Sequence, residues 1–236
     1  MVRIATWNTE WATPGTSRGD TVAAVLASLG ADVIVLTEGR ADLLPTGGYV
    51  IEAGSDWGYR VEDPLRRKVL MWSRWPWIEI DMLGSEELPS GRFVAGTVQS
   101  SLGEVRIVGL CVPWSGAHVT HGRRDRRRWE DHERFLRALG PALARRDRPT
   151  VLAGDLNQRI PPTTQPARVA QLLAEVLGGF EVPTAGVTAP QLIDHIAHSP
   201  DLTSTGPPVL IPDALDGQRL SDHTGVIVEL MPASPR

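Results

Sequence analysis

The segments "VRIATWN" (2–8) and "DVIVLTE" (32–38) are apolar and rich in β-branched residues, and "GDTVAAVLASLG" (19–30) between them repeats its apolar residues at helical spacing and stops at Gly30. Apolar runs without polar alternation suit strands buried on both faces, and two such strands joined through a helix pair in parallel by a right-handed crossover. A chain that begins this way must cover both faces of its first sheet. That requirement limits the fold more than any bulk property does.

The middle of the chain changes character. "GGYVIEA", "RKVLMWS", "WIEIDML", "RFVAGTVQS" and "EVRIVGLCV" are short strand-like pieces divided by Gly, Pro, Ser or charged turns, which predicts a largely antiparallel stretch. Helical patterning returns over "RRWEDHERFLRALGPALARR" (127–146) and "ARVAQLLAEVLGG" (167–179), with strands expected at "TVLAGDLN", "LIDHIAHS" and "GVIVELM". No period of 20 to 50 residues repeats. A looser echo is visible: strand, helix and strand ending in polar residues occurs in the first 40 positions and again from about 105 to 200. It predicts two similar β-rich halves packed face to face with helices outside, as one domain over residues 1–236.

Composition narrows the setting. The 236 residues are 42% hydrophobic and 22% charged, and no apolar run approaches the roughly 18 residues of a membrane span. A strand-like segment starts at residue 2 and Cys111 is the only cysteine, so the expectation is a cytoplasmic protein without internal disulfides. The net charge is −4, yet residues 118–148 hold ten arginines against five acids, leaving the remainder near −9. Such asymmetry either faces a phosphate backbone or is a solvated helix face. Arg124 and Arg127 are the candidates for substrate contact in that segment.

Five predicted strand ends carry polar groups: Asn8, Glu38, Asp155 with Asn157, Asp194, and Asp222 with His223 at the start of the last strand. Any one of them is an ordinary turn former. Together they make a convergent set of carboxylates, amide oxygens and one histidine, which suits a hard divalent cation such as Mg²⁺. Zinc is a poorer match, because "HVTH" (118–121) lacks the HExxH arrangement and no thiolate cluster exists. Neither GxSxG nor GxxxxGK[ST] occurs, which argues against a serine nucleophile and a P-loop nucleotidase.

"IATWNTEW", "DVIVLTE", "LAGDLNQ", "LIDHIAHS" and "LSDHTGV", in this order over nearly the full length, resemble the endonuclease/exonuclease/phosphatase superfamily with its DNase I-like fold. The resemblance implies an α+β, four-layered αββα sandwich with two mixed, mainly antiparallel sheets, and Mg²⁺ or Mn²⁺ assisting hydrolysis of a phosphate ester. It implies Glu38 as the principal metal ligand, with Asn8 and Asp222 beside it. Asp155 would orient or deprotonate the attacking water and Asn157 would hydrogen-bond phosphoryl oxygens. A cationic His223 would stabilise the pentavalent phosphorane, and Asp194 would accept its other ring N–H.

The sequence departs from the commoner pattern at three places. Thr37 stands where many members carry Gln, Cys111 where a Tyr or His often contacts phosphate, and Arg67 with Lys68 where a Gly commonly opens the strand. His118 or His121 either takes over the phosphate contact or is a loop histidine. Trp114, and Trp11 with it, follows a strand carrying a candidate residue and can stack on a base or sugar, whereas Trp72, Trp75 and Trp77 read as packing residues. The leading expectation is a phosphodiesterase acting on nucleic acid. The alternatives are hydrolysis of a phospholipid head group or inositol phosphate, and an inactive binding protein of the same fold.

Overall fold

The computed structural model describes residues 1–60, 63–81, 88–144, 147–187 and 189–234. The elements run β1 (Val2–Asn8), α1 (Ser17–Ser28), β2 (Val33–Arg40), β3 (Tyr49–Glu52), β4 (Arg66–Ser73), β5 (Trp77–Asp81), β6 (Phe93–Ser100), β7 (Gly103–Cys111), α2 (Glu130–Ala144), β8 (Thr150–Asp155) and α3 (Ala167–Val176). They continue with β9 (Asp194–His198), β10 (Leu202–Ser204), β11 (Val209–Ile211), β12 (Ala214–Leu215), β13 (Gln218–Arg219) and β14 (Gly225–Pro232).

One sheet has the order β10-β14-β1-β2-β4-β3, with β11 also paired to β14, and the other has the order β5-β6-β7-β8-β9. Each contains one parallel pair, β1 with β2 and β7 with β8, among antiparallel neighbours. The echo in the sequence is therefore a structural one. Between the sheets lies a core that includes Ile4, Val35, Met71, Ile107, Val151 and Val228. Phe135, Leu136 and Leu139 of α2 and Leu173 of α3 cover the outer face of the smaller sheet, and Val22 and Leu26 of α1 cover the larger. The result is an αββα sandwich. Each fully buried Leu, Ile or Phe contributes about 1.5–3 kcal/mol relative to exposure.

The β1–β2 crossover forms as its periodicity predicts. Thr16 caps α1 by accepting the Gly19 N–H, and the helix ends ahead of Gly30. Trp72 is buried beneath α1, and Trp75 and Trp77 pack on the inter-sheet core, so these tryptophans are packing residues. Some boundaries move. The helix expected over 127–146 starts at Glu130, because Arg123 and Arg126 pair with Asp125, Glu130 and Asp131 in an irregular loop held to the preceding segment by Trp129 N–H to Ser115 O (2.7 Å). Arg124 and Arg127 consequently sit on an exposed loop, not on a helix face. Asp222 and His223 precede β14 rather than opening it, and β10 to β13 were not anticipated. Met82, Leu83, Arg145 and Arg146 lie outside the described residues.

Gly154 is the tightest backbone position next to the candidate site. Its φ is +142°, and a Cβ there would lie 1.9 Å from the Leu110 carbonyl oxygen on the parallel neighbour β7. Gly154→Ala is expected to cost at least about 1–3 kcal/mol of stability, seen as a lower urea midpoint. An unchanged midpoint would mean that β7 and β8 separate freely here.

Candidate active site

The C-terminal ends of the two parallel pairs meet at one edge of the sandwich. Asn8 closes β1 and Asp155 closes β8, and the Asn8 Nδ2–H donates to Asp155 Oδ2 across 3.1 Å, joining the two sheets. Asp194 opens β9 directly opposite Asp155 in the ladder. Glu38 lies within β2 but has φ +49°, a left-handed conformation that breaks the ladder. Its carbonyl instead accepts the Trp11 N–H (2.7 Å) and the Thr9 hydroxyl (3.0 Å), so the loop after β1 holds it in place. Asn157 is also left-handed, at +52°. Glu10 and Trp11 in the loop after β1 are left-handed too, at +47° and +58°, so backbone strain is stored along this edge.

His223 reaches the same edge from the opposite side. Ser221 is buried, donates to the Asn8 carbonyl (2.7 Å) and accepts the His223 N–H (3.1 Å), while Trp7 Nε1–H donates to the His223 carbonyl (2.9 Å). Ser221 thus seats the Asp-His pair on β1. The His223 Nδ1–H donates to Asp194 Oδ2 in a short hydrogen bond. One ligand atom each from Asp155, Asp194 and His223 lie within 4.8 Å of one another. The Asp222 carboxylate is 53% exposed and 3.7 Å from His223 Nε2.

These surroundings shift the ionisable groups. Burial alone would depress His223, but the Asp194 charge and hydrogen bond outweigh it, with Asp155 and Asp222 adding, and its pKa rises to about 10. His223 is a cation at neutral pH and cannot ligate a metal through Nδ1 while that atom carries the proton given to Asp194. Burial pushes Asp155 up to about 7; the His223 charge opposes the rise, Asp194 and Glu38 support it, and the Asn157 N–H opposes it. Asp155 is poised near neutrality.

Asn157 is bound to Asp155 and to the segment after β7. Its Nδ2 hydrogens go to Val112 O (2.9 Å) and Asp155 Oδ2 (2.9 Å), and its backbone N–H goes to Asp155 Oδ1 (2.8 Å). Both amide hydrogens are committed within the protein, so the residue fixes Asp155 instead of presenting a free donor to phosphate. His118 packs within the loop that follows β7. It is 4% exposed, stacked on Tyr59 at 4.2 Å between centroids, and its Nδ1 accepts the Arg123 N–H (3.2 Å), so it braces a loop and presents no ring N–H to the cluster. Burial, then the Arg123 charge, lowers its pKa. Cys111 is buried 3.9 Å from Asp155 Oδ2, its thiol pushed up to about 12 by burial. Thr37 Oγ1 is buried with no hydrogen-bond partner among the described residues. His195, next to Asp194, bonds Thr184 and the Gln158 carbonyl and is a core histidine.

Two cations stand beside the expected residues, Lys68 from the departure at the start of β4 and Arg92, which no sequence pattern marks. Lys68, the only lysine, forms a short ion pair with Glu38. The strand register signals this contact, since Thr37 faces Val69 and Gly39 faces Arg67. Arg92 is 3% exposed and donates to the Trp57 and Cys111 carbonyls, with no ion pair among the described residues.

A family model described as the endonuclease/exonuclease/phosphatase family matches residues 5–223. The chain belongs to this family. Among solved structures, an endonuclease/exonuclease/phosphatase from Beutenbergia cavernae is 23% identical with a TM-score of 0.65, covering 98% of this chain and 71% of the other. A 3′ phosphatase from Neisseria bound to a product DNA hairpin is 21% identical (TM-score 0.69, 97% and 99% covered). An AP endonuclease from Archaeoglobus fulgidus is 16% identical (TM-score 0.71, 97% and 99% covered). No curated protein gives a significant match.

The endonuclease/exonuclease/phosphatase family consists of phosphoester hydrolases, and the acidic edge of this member is of the kind that holds a cation. The donor chemistry fits a hard divalent ion: Asp155 and Asp194 offer carboxylate oxygens within 4.8 Å of one another beside His223, with Asn8 and the Glu38–Lys68 pair next to Asp155, and Asp194 Oδ1 is buried without a partner among the described residues. No helix among the described residues is long and apolar enough to cross a membrane.

Proposed function

We propose that the protein is a divalent-metal-dependent phosphodiesterase acting on nucleic acid. One observation carries this reading: the buried Asp155 carboxylate is clamped by the Asn8 and Asn157 amides beside His223, whose ring is itself held by the buried Asp194 carboxylate. Glu38, Asn8 and Asp222 would hold the ion, Mg²⁺ or Mn²⁺, which when bound supplies Lewis-acid stabilisation of phosphoryl charge. Asp155 Oδ1 and Oδ2 orient the attacking water and accept its proton, a task for which a pKa near the working pH is suited. The Nε2–H of His223, which faces Asp222 at 3.7 Å, donates to a phosphoryl oxygen as negative charge builds there. Asp194 keeps that imidazole charged and aimed, and Asn157 keeps Asp155 aimed.

Likeness to a DNA-bound phosphatase and to an AP endonuclease supports nucleic acid as the substrate, as do the exposed Arg124 and Arg127 of the arginine-rich loop. The same groups would serve a phospholipid head group or an inositol phosphate, so the assay must include both. Plasmid DNA and bis-p-nitrophenyl phosphate, incubated with Mg²⁺, Mn²⁺ or EDTA, should show turnover only with metal. Asp155→Ala should lower the rate by about 10²–10⁴. Absence of metal-dependent turnover, or equal turnover by the variant, would overturn the proposal.

A further inference from the structure

Beside the Glu38–Lys68 pair opens a cleft of about 360 Å³, within the range of small-molecule sites, that none of the proposed catalytic steps uses. Trp11, Trp57 and Trp114 line it together with Arg66, Lys68 and Arg92. Two of the tryptophans are already engaged. Trp11 stacks on Trp57 at 5.7 Å, and Arg66 and Lys68 lie 5.2 and 5.1 Å from its ring centroid. Trp114 is different. It is 46% exposed, and it rests on Gly116, where an added Cβ would lie 2.4 Å from the indole. The benzo ring of the indole packs on the Gly116 backbone, and nearly half of the residue remains exposed to the cleft.

The floor of the cleft is shared with the catalytic edge. Lys68 Nζ joins Glu38, and Arg92 lies 3.9 Å from the Cys111 sulfur, itself 3.9 Å from Asp155 Oδ2. The cleft thus adjoins the catalytic edge through Lys68, whose ammonium meets Glu38. The cationic lining repels a cationic head group such as choline and favours a second phosphate. A half-exposed indole favours a flat π-system, which a polyol such as inositol lacks. A paired base inside a duplex has both faces covered by its neighbours and cannot lie on Trp114.

We propose that this cleft is a subsite for an unpaired nucleobase next to the scissile phosphate, stacked on Trp114, with its flanking phosphate on Arg66, Lys68 and Arg92. The inference rests on the nucleic-acid reading above and names the form of the substrate: a single-stranded segment.

The test measures binding with EDTA present, so that hydrolysis plays no part. Fluorescein-labelled oligo-dT, the same strand with one abasic residue at successive positions, and an oligo-dT·oligo-dA duplex are titrated with the protein and followed by anisotropy. Single strand should bind more tightly than duplex, and loss of one base at the contacting position should weaken binding roughly 5- to 100-fold. Trp114→Ala should lose the same factor and abolish the difference between intact and abasic strands, while Trp114→Phe should keep part of it. Gly116→Ala, which displaces the indole, should mimic Trp114→Ala. Equal binding of single strand and duplex, or Trp114→Ala binding within twofold of the parent, would overturn the inference while leaving metal-dependent hydrolysis untouched. Base-dependent binding without any hydrolysis would instead overturn the proposed function and leave the subsite standing.

Discussion

Asp194→Asn is expected to lower the pKa of His223 steeply from its value of about 10 and to reduce phosphodiester hydrolysis by about 10²–10⁴. The asparagine keeps the size of the side chain and an oxygen that can accept the Nδ1–H, so orientation survives. The charge that opposes desolvation does not. Burial of His223 is the largest influence on its ionisation and acts downward; the Asp194 charge is the largest upward one. Without it, the imidazole at neutral pH is mostly uncharged and no longer offers a cation to the phosphoryl group.

The stability consequence has a definite sign. A histidine whose folded pKa is raised from 6.5 to about 10 contributes stability that is complete below pH 6.5 and lost as pH rises through about 10. The parent should therefore exceed Asp194→Asn by on the order of 3 kcal/mol near pH 6, as expected for breaking a buried charge pair, and the gap should close toward pH 10. Proton NMR of the His223 ring in the metal-free protein reads the pKa directly, and urea unfolding at the two pH values reads the gap. An unshifted His223 titration would mean that Asp194 does not hold its charge.

The sequence was most informative where a single interaction dominates. The crossover of β1 and β2 followed from apolar runs around a periodic segment, and the inter-sheet core followed from the strand-like pieces between. Asn8, Glu38, Asp155 and Asp194 could be placed because each sits at or near the end of a strand, where a polar residue breaks an apolar run. What escaped notice depends on pairing across distant segments. Lys68 meets Glu38 only because β2 and β4 align antiparallel with Thr37 opposite Val69, and no local pattern encodes that register. The commitment of Asn157 to Val112 and Asp155 likewise needs β7 and β8 side by side. The arginine-rich segment misled for a local reason: its charges suited a helix face, but its acids pair within a loop and delay the helix to Glu130.

That delayed helix carries the second large effect, at His132. The residue is fully buried; its Nδ1–H donates to the Pro113 carbonyl at 2.7 Å and its Nε2 accepts from Gln158 Nε2 at 2.8 Å. The same Gln158 nitrogen also donates to the Val169 carbonyl (3.3 Å), which fixes the amide in this orientation and makes His132 the neutral Nδ1–H tautomer. Burial drives its pKa down to about 4, against the Pro113 hydrogen bond and the Glu133 charge. His132 and His223 should thus titrate at opposite ends of the accessible range, one ring neutral and one charged throughout pH 5 to 9.

A depressed folded pKa means stability that is complete above pH 6.5 and lost as pH falls toward about 4, on the order of 3 kcal/mol for this shift. His132→Gln removes the titration, so the stability difference between parent and variant should narrow on acidification through that window while other groups cancel in the comparison. A difference independent of pH would show that His132 takes up its proton in the folded protein as readily as in the unfolded chain. The loss also reaches the site. Pro113 follows Val112, which accepts from Asn157, and Gln158 follows Asn157, so a charged His132 would push apart the two segments that clamp Asp155. Hydrolysis below pH 5 should then fall faster than protonation of Asp155 alone requires, and His132→Gln should restore the single-group slope.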